Sequence, residues 1–185
     1  MTTTATQPER ARIVAVARRL VERDGPDALS MRKLAADLGV AHTAIYWHVG
    51  GRDELIGAIV DSFIADLGEV RPRGRSPRTR MESIALDVHR QAVEHRALVS
   101  LAFEQGRATA LWQPAHVALA REVEAAGLRG AAAARAVQTI LYLAGAFVTL
   151  EAALEEHAET RAAVALSRRV FSDALEAVLD QLEGK

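Results

Sequence analysis

The stretch from Ser30 to Val49 constrains the fold of this chain more than any other. It contains two short helical patterns in which apolar residues recur three or four positions apart, so each has one inward face. These apolar residues are Leu34, Ala35, Leu38, Ile45 and Val49. Between the patterns stands Gly39, where a helix usually ends, because glycine adopts the left-handed conformation without steric cost. Two helices joined by a short glycine-containing turn indicate a helix-turn-helix, whose second helix enters the major groove of DNA.

The second pattern leaves polar and aromatic residues on its outward face, namely His42, Thr43, Tyr46 and Trp47. Burial against other helices is the usual fate of aromatic residues, but Ile45 and Val49 already fill the inward positions. Hydroxyl and imidazole groups reach phosphates and base edges, and an aromatic face contacts the methyl group of thymine. The pattern therefore predicts a surface that reads DNA.

The start of the first pattern breaks a local rule. Ser30 is predicted to be the N-cap, yet Arg32 and Lys33 follow in the first turn, where cations oppose the helix dipole and a capping box would have glutamate in place of Lys33. A phosphate bound at this helix N-terminus would remove the conflict. Two solvated surface cations explain the pattern equally well.

From about residue 13 to residue 63 the chain resembles the DNA-binding domain of the TetR (tetracycline-repressor) family of bacterial transcriptional regulators. The residues that carry the resemblance are Ala17, Leu20, Gly25, the run 29–35, Leu38-Gly39-Val40, the run 45–49 and Leu55. The run Tyr-Trp-His-Val at 46–49 is similar to the tetracycline-repressor branch, where many relatives have Tyr-Tyr-His-Phe. The remainder of the chain matches the family only in its helical layout.

The residues expected to read the major groove are His42, Thr43, Tyr46 and Trp47, and those expected to contact the DNA backbone are Ser30, Arg32, His48 and Arg52. The family's usual Lys- or Ser-containing turn is replaced here by Gly50-Gly51-Arg52-Asp53, so Arg52 would have to supply the basic phosphate contact. His42 and Thr43 are not generic family residues, which makes them candidates for this protein's own operator preference.

The composition excludes several classes of protein. Absence of cysteine excludes disulfides, thiolate chemistry and Cys-based zinc sites, and no catalytic motif is present, so no enzyme and no catalytic residue is expected. No signal pattern appears at the N-terminus and the apolar run 140–150 is too short to span a bilayer, so a soluble cytoplasmic protein without a membrane partner is expected. A net charge of −1 means that DNA binding must come from a placed patch, present in two copies.

The periodicity predicts an all-α fold. The resemblance implies that it consists of an N-terminal three-helix DNA-binding domain of the helix-turn-helix type and a larger helical ligand-binding and dimerisation domain. The predicted domains are 1–50 for DNA binding, 51–70 for a connecting helix, 71–80 for an Arg/Pro-rich loop and 81–185 for effector binding and dimerisation. A capping box at Thr6–Glu9 predicts the start of a helix that ends near residue 23. Further helices are predicted at 52–67, 81–95, 98–105, 113–127, 131–156 and 160–182.

The last two helices are strongly apolar, and the middle of the first, residues 137–154, is apolar on nearly every side, which predicts burial all round. Operators are often two-fold symmetric, so a homodimer formed through helices 131–156 and 160–182 is the favoured hypothesis. A monomer whose last helices merely complete the core is the alternative.

Family members usually carry a pocket for a small molecule in the second part of the chain. The candidate ligand-binding residues are His89, Phe103, Trp112, His116, Gln138, Tyr142 and Phe147, with Trp112, His116 and Tyr142 preferred. His89, His95 and His116 lack a recognisable ligand spacing, so no metal is predicted. No cofactor is expected beyond a small-molecule effector.

The sequence is therefore interpreted as a dimeric transcriptional regulator that binds a palindromic double-stranded DNA operator. By resemblance it is a repressor that a small molecule releases. An activator of the same family is one alternative. A helical adaptor that binds protein through Tyr46 and Trp47 is another, and salt discriminates it, because phosphate-dominated binding weakens steeply as salt rises.

Overall fold

The computed structural model describes residues 10–156 and 160–183, which form α-helices and one short 3-10 turn, without a β-strand among them. The all-α fold predicted from the sequence is confirmed. The helices are α1 Arg10–Asp24, α2 Met31–Leu38, α3 His42–Val49, α4 Arg52–Leu67, α5 Pro77–Glu94, α6 Arg96–Glu104, α7 Ala108–Ala125, α8 Gly130–Glu156 and α9 Thr160–Glu183, and the turn is Pro26–Ala28. The predicted capping box at Thr6–Glu9 and the break at 157–159 lie outside the described residues.

The chain divides into two compact units. Unit 1 comprises Met1–Leu67 with His95–Leu111, and unit 2 comprises Gly68–Glu94 with Trp112–Lys185. This division differs from the predicted domains, in which 51–70 was a separate connecting helix and 81–185 a single body. Both α4 and α6 belong with the helix-turn-helix instead.

Unit 1 is built around fully buried apolar side chains from α1, α2, α3, α4 and α6. The largest of these are Ile13, Leu34, Ile45, Leu55, Ile59, Phe63 and Leu98. The bounds predicted for helix four are confirmed, and its apolar stripe faces this core. Burial of such side chains is the main stabilising term for a small helical unit.

Charged and aromatic contacts attach α1 and the segment 95–111 to α4. Arg18 of α1 pairs with Asp66 and lies over the Phe63 ring, with its guanidinium carbon 5.4 Å from the ring centroid. The His95 ring lies 5.3 Å from the same Phe63 ring, and Arg107 Nη1 is 2.7 Å from Asp61 Oδ1. These contacts explain why residues 95–111 fold with unit 1.

Two helices begin at least four residues earlier than predicted. α5 starts at Pro77, because the Ser76 hydroxyl accepts a hydrogen bond from the Thr79 N–H at 3.2 Å and the Thr79 hydroxyl accepts one from the Ser76 N–H at 3.1 Å. The last four residues of the loop predicted at 71–80 therefore belong to α5. α7 starts at Ala108 and contains Pro114, which was predicted to open the helix. Gly106 at φ 66° ends α6 so sharply that α7 follows at once.

Unit 2 contains α5, most of α7, α8 and α9, packed around one apolar cluster. The prediction that the middle of α8 is buried on all sides is wrong. α8 packs on α5 and α9 through one face only, whereas Tyr142 is 73 % exposed and Leu150 is also exposed. Among residues 10–156 and 160–183 of one copy, no helix covers Tyr142 and Leu150 on the outer face of α8.

The length of α8 also corrects a prediction. Residues Gly130–Leu154 form one helix that is long and apolar enough to cross a membrane. The prediction of no membrane span rested on the shorter apolar run 140–150. The core helix of a soluble protein satisfies the same criterion of length and composition, and α8 packs its inner face on α5 and α9.

Candidate nucleic-acid interface

The helix-turn-helix is formed by α2, the turn 39–41 and α3. Gly39 ends α2 with φ 68°, and its N–H donates to the Ala36 carbonyl at 3.1 Å. The Val40 N–H donates to the Ala35 carbonyl at 3.0 Å, which completes the hydrogen-bond pattern of a Schellman cap. The predicted role of Gly39 is confirmed, and this cap fixes the direction in which the chain enters α3.

The orientation predicted for α3 is confirmed. Ile45 and Val49 are buried in the core of unit 1, whereas Trp47 is 88 % exposed and Tyr46 45 % exposed. His42 and Thr43 are exposed as well, and His48 is half-buried. The His42 ring meets the Tyr46 ring edge-on, with centroids 5.1 Å apart. α3 therefore presents a contiguous polar and aromatic face to solvent.

Ser30 caps the N-terminus of α2 as predicted, and a carboxylate that was not predicted balances part of the positive charge there. The Ser30 hydroxyl accepts a hydrogen bond from the Lys33 N–H at 3.4 Å. Lys33 Nζ lies 3.4 Å from Asp24 Oδ2, so a carboxylate nine residues earlier offsets one of the two cations. A hydrogen bond from Arg23, assisted by Lys33, lowers the pKa of Asp24 to about 2. Arg32 is exposed at the same helix end.

Arg52 has a structural role besides the predicted phosphate contact. Its Nη2 donates to the Pro26 carbonyl at 3.2 Å and its Nε to the Leu29 carbonyl at 3.4 Å. These bonds hold the segment that leads into α2. The neighbouring Gly51 N–H donates to Glu54 Oε2 at 2.9 Å, which caps α4. A Cβ on Gly51 would lie 2.9 Å from that oxygen, so a larger residue at this position would require the Glu54 side chain to shift.

The predicted ligand-binding residues are divided between the two units. Phe103 lies in unit 1 and is half exposed, whereas the other six lie in unit 2. Gln138 and Tyr142 are on the exposed face of α8, so the preference for Tyr142 as a residue of a buried helix is corrected. Trp112 and His116 are half-buried on α7. Within residues 10–156 and 160–183, no three His, Asp or Glu side chains are grouped so as to hold a metal.

His89 and Phe147 are brought together through Phe171, which sequence analysis did not single out. The His89 ring stacks on the Phe171 ring with centroids 4.4 Å apart, and the Phe147 ring lies 5.4 Å from Phe171. His89 Nε2 is 3.0 Å from Glu151 Oε1. Burial lowers the pKa of His89, and the Arg168 charge adds to this while Glu151 opposes it. A glutamate inside the apolar stretch of α8 was the available signal for this cluster.

The cap and the predicted DNA contact of Ser30 can be separated by two substitutions. Ser30→Ala is expected to lower the free energy of unfolding by about 1 kcal/mol, because the capping oxygen is lost. Ser30→Asp keeps a capping oxygen and should preserve stability, but its charge should weaken DNA binding by repelling phosphate. Urea unfolding and DNA titration measure the two effects. Equal DNA affinity of Ser30→Asp and the wild type would remove Ser30 from the interface.

The helix-turn-helix also matches known proteins in sequence. Residues 13–59 match the family described as bacterial regulatory proteins, tetR family. A curated HTH-type transcriptional regulator of Saccharopolyspora erythraea is 38 % identical over 94 residues, which cover 49 % of this chain and 39 % of that protein. The chain therefore matches well under half the length of this relative.

Solved structures resemble the whole chain. BioQ of Mycobacterium smegmatis has a TM-score of 0.68 and 25 % identity, covering 96 % of this chain and 99 % of that one. A structure of BioQ with its double-stranded DNA operator has a TM-score of 0.64 at 24 % identity, with coverages of 97 % and 100 %. ActR of Streptomyces coelicolor in complex with (S)-DNPA has a TM-score of 0.65 at 22 % identity, with coverages of 97 % and 98 %. The last two likenesses show the fold alone.

These matches agree with the geometry of α2 and α3. The family model covers α2 and α3 entirely, most of α1 and the first half of α4. The solved structures extend the likeness to the helices that follow. Residues 13–59 of this chain therefore match the TetR family of bacterial regulatory proteins, and the chain as a whole is similar in fold to BioQ.

Proposed function

We propose that the chain is a sequence-specific DNA-binding regulator of transcription. The observation that carries the proposal is the exposed face of α3, where Trp47 and Tyr46 point to solvent while Ile45 and Val49 anchor the helix in the core. A large exposed aromatic pair is unfavourable in isolation and typical of a recognition surface. The fold supports the same conclusion, because BioQ, which has this fold, is known with its DNA operator.

The proposed interface separates into two kinds of contact. His42, Thr43, Tyr46 and Trp47 lie on α3 and read base edges and thymine methyl groups in the major groove. Ser30, Arg32, His48 and Arg52 contact the phosphate backbone and set the register. Arg52 uses two donors within unit 1, so the phosphate would be bound by its remaining nitrogen, Nη1.

We further propose that the functional form is a homodimer through helices 131–156 and 160–182. The outer faces of α8 and α9 expose large apolar side chains that the described part of one copy leaves uncovered: Tyr142, Leu150, Leu166 and Val170. Pairing these helices with their copies in a four-helix interface would bury those side chains. A two-fold dimer places two reading helices about 34–36 Å apart, which suits a palindromic operator.

The dimer is tested by Leu166→Glu. Leu166 is exposed in one copy, so the fold should tolerate the change, but a charge buried in the interface is strongly unfavourable. We expect a wild-type dimer and a monomeric variant in sedimentation at micromolar concentration. Leu86→Glu, at an exposed site on α5, is the matched control and should remain dimeric. A monomeric wild type would contradict the proposal.

Effector control is the remaining element of the proposal. We propose a repressor in the cytoplasm that a small molecule bound in unit 2 releases by shifting α4, which changes the separation of the two reading helices. Support comes from ActR, a protein of the same fold solved in complex with (S)-DNPA. A reporter assay distinguishes the repressor from an activator, since deletion of the gene raises expression in the first case and lowers it in the second.

DNA binding is tested by selecting genomic fragments on the purified protein and footprinting the enriched ones. We expect a protected palindrome with half-sites one helical turn apart. The DNA upstream of the protein's own coding region is the first candidate, because regulators often control themselves or a neighbour. Failure to enrich any fragment would favour the helical adaptor, in which Tyr46 and Trp47 meet a partner helix.

A further inference from the structure

The interior of unit 2 holds a polar cluster that DNA binding does not use. His89 on α5, Glu151 on α8 and Ser167 on α9 are all more than nine-tenths buried, and Glu151 is only 1 % exposed. They are the buried polar or charged residues among the described part of the chain. A carboxylate in such a place is rare unless something of opposite charge accompanies it.

The cluster leaves hydrogen-bonding atoms unsatisfied. His89 Nε2 and Glu151 Oε1 lie 3.0 Å apart but are poorly aligned, and neither atom makes a hydrogen bond. The Ser167 hydroxyl is also buried without a partner. Buried polar atoms are almost always satisfied in folded proteins, and each exception calls for a cause. These three atoms are therefore available to hydrogen-bond a polar group of a ligand.

Nearby cations balance the negative charge of Glu151 only in part. Burial lowers the pKa of His89, so this ring stays neutral at neutral pH. Arg168 Nε is 3.3 Å from Glu151 Oε2, but the Arg168 side chain is more than half exposed. The carboxylate therefore has a cation on one oxygen and none on the other. Such partial pairing is unfavourable, because desolvation of a charge is offset only by close and well-formed contacts.

Aromatic rings lie next to the carboxylate. Phe147 precedes Glu151 by one turn of α8 and packs on Phe171, which in turn stacks on His89. Ser167 precedes Phe171 by one turn of α9. Aromatic faces carry negative potential and attract cations, and they also provide apolar area. The surroundings thus combine an anion, ring faces and unsatisfied polar atoms.

We propose that Glu151 binds the ammonium or amidinium group of a small organic cation whose apolar body packs on Phe147 and Phe171. The Ser167 hydroxyl and His89 Nε2 supply further hydrogen bonds. Arg168 acts as an internal cation that occupies the carboxylate when the ligand is absent and competes with it. The inference rests on the proposed function in one respect, since it names the chemical class of the effector in unit 2.

The test measures binding of 9-aminoacridine, a planar organic cation, to the DNA-free full chain by fluorescence titration. Acridine at pH 7.5 has the same ring system without the charge and serves as the matched probe. We expect saturable binding of 9-aminoacridine and binding of acridine weaker by about tenfold or more. Glu151→Gln should weaken 9-aminoacridine binding about 10- to 100-fold, because the charge-assisted hydrogen bond is lost.

Arg168→Ala gives the sharper result. Removal of the competing guanidinium should tighten 9-aminoacridine binding, whereas a purely structural ion pair predicts unchanged or weaker binding. Glu176→Gln, at an exposed position of α9, is the matched control and should bind as the wild type does. Circular dichroism verifies folding, and if Glu151→Gln does not fold, the comparison of Arg168→Ala with the wild type decides.

Three outcomes would overturn the proposal: no saturable binding of 9-aminoacridine, equal binding by Glu151→Gln and the wild type, or unchanged or weaker binding by Arg168→Ala. The operator titration is a separate experiment without the probe. A chain that binds DNA but not the cation disproves only the effector class. A chain that binds the cation but not DNA disproves the proposed function and leaves the site in place.

Discussion

The double substitution Tyr46→Ala/Trp47→Ala is expected to weaken operator binding by about 100-fold or more, as two lost contacts of roughly 1.4 kcal/mol each imply. Both side chains lie on the solvent face of α3, and Trp47 is 88 % exposed. Since little buried area is lost, the melting temperature should change by no more than a few degrees. Fluorescence anisotropy with the footprinted operator and thermal melting measure the two quantities.

Leu86→Ala is the control for this experiment, because Leu86 is an exposed apolar residue on α5 in unit 2. It should bind the operator as tightly as the wild type. The interface assignment fails if the double variant keeps full affinity. It also fails if the variant loses affinity together with its fold, since the effect would then come from stability.

Phe63→Ala is expected to lower the free energy of unfolding by about 3–5 kcal/mol, the range for removal of a buried aromatic side chain. Phe63 on α4 is only 2 % exposed. Its ring lies 5.4 Å from the Arg18 guanidinium carbon and 5.3 Å from the His95 ring, so the substitution also removes a cation–π contact and a ring contact. Urea unfolding of the full chain measures the loss.

Phe103→Ala is the matched control, since Phe103 is the same residue type in the same unit and is half exposed. Its substitution should cost less than about 1 kcal/mol. Similar losses of unfolding free energy for the two variants would contradict this role of Phe63, whose ring contacts both Arg18 of α1 and His95.

The DNA-binding half of the fold was predictable because local rules decide it. Ser30 and Gly39 mark the ends of α2 by capping chemistry, and the spacing of Ile45 and Val49 fixes which side of α3 is buried. The α4 stripe is long and continuous, so its bounds followed from periodicity. These features depend on residues close together in the sequence.

The second half was less predictable because it depends on distant contacts. An apolar helix such as α8 has the same pattern whether its outer face meets the same chain or another copy, so burial all round did not follow. His89 and Glu151 are far apart in sequence, and no local pattern joins them. The attachment of Arg107 to Asp61 placed residues 95–111 in unit 1, against the prediction of one continuous second domain.

The salt dependence of operator binding tests the central claim most directly. If α3 and the N-terminus of α2 bind a DNA duplex, several phosphate contacts release counterions, and affinity should fall by orders of magnitude between about 50 and 200 mM salt. The logarithm of the binding constant should decrease linearly with the logarithm of the salt concentration, with a shallower slope for Arg32→Ala. An operator affinity that stays constant over this range, or no operator binding at all, would contradict the proposed interface and favour a protein partner for this surface.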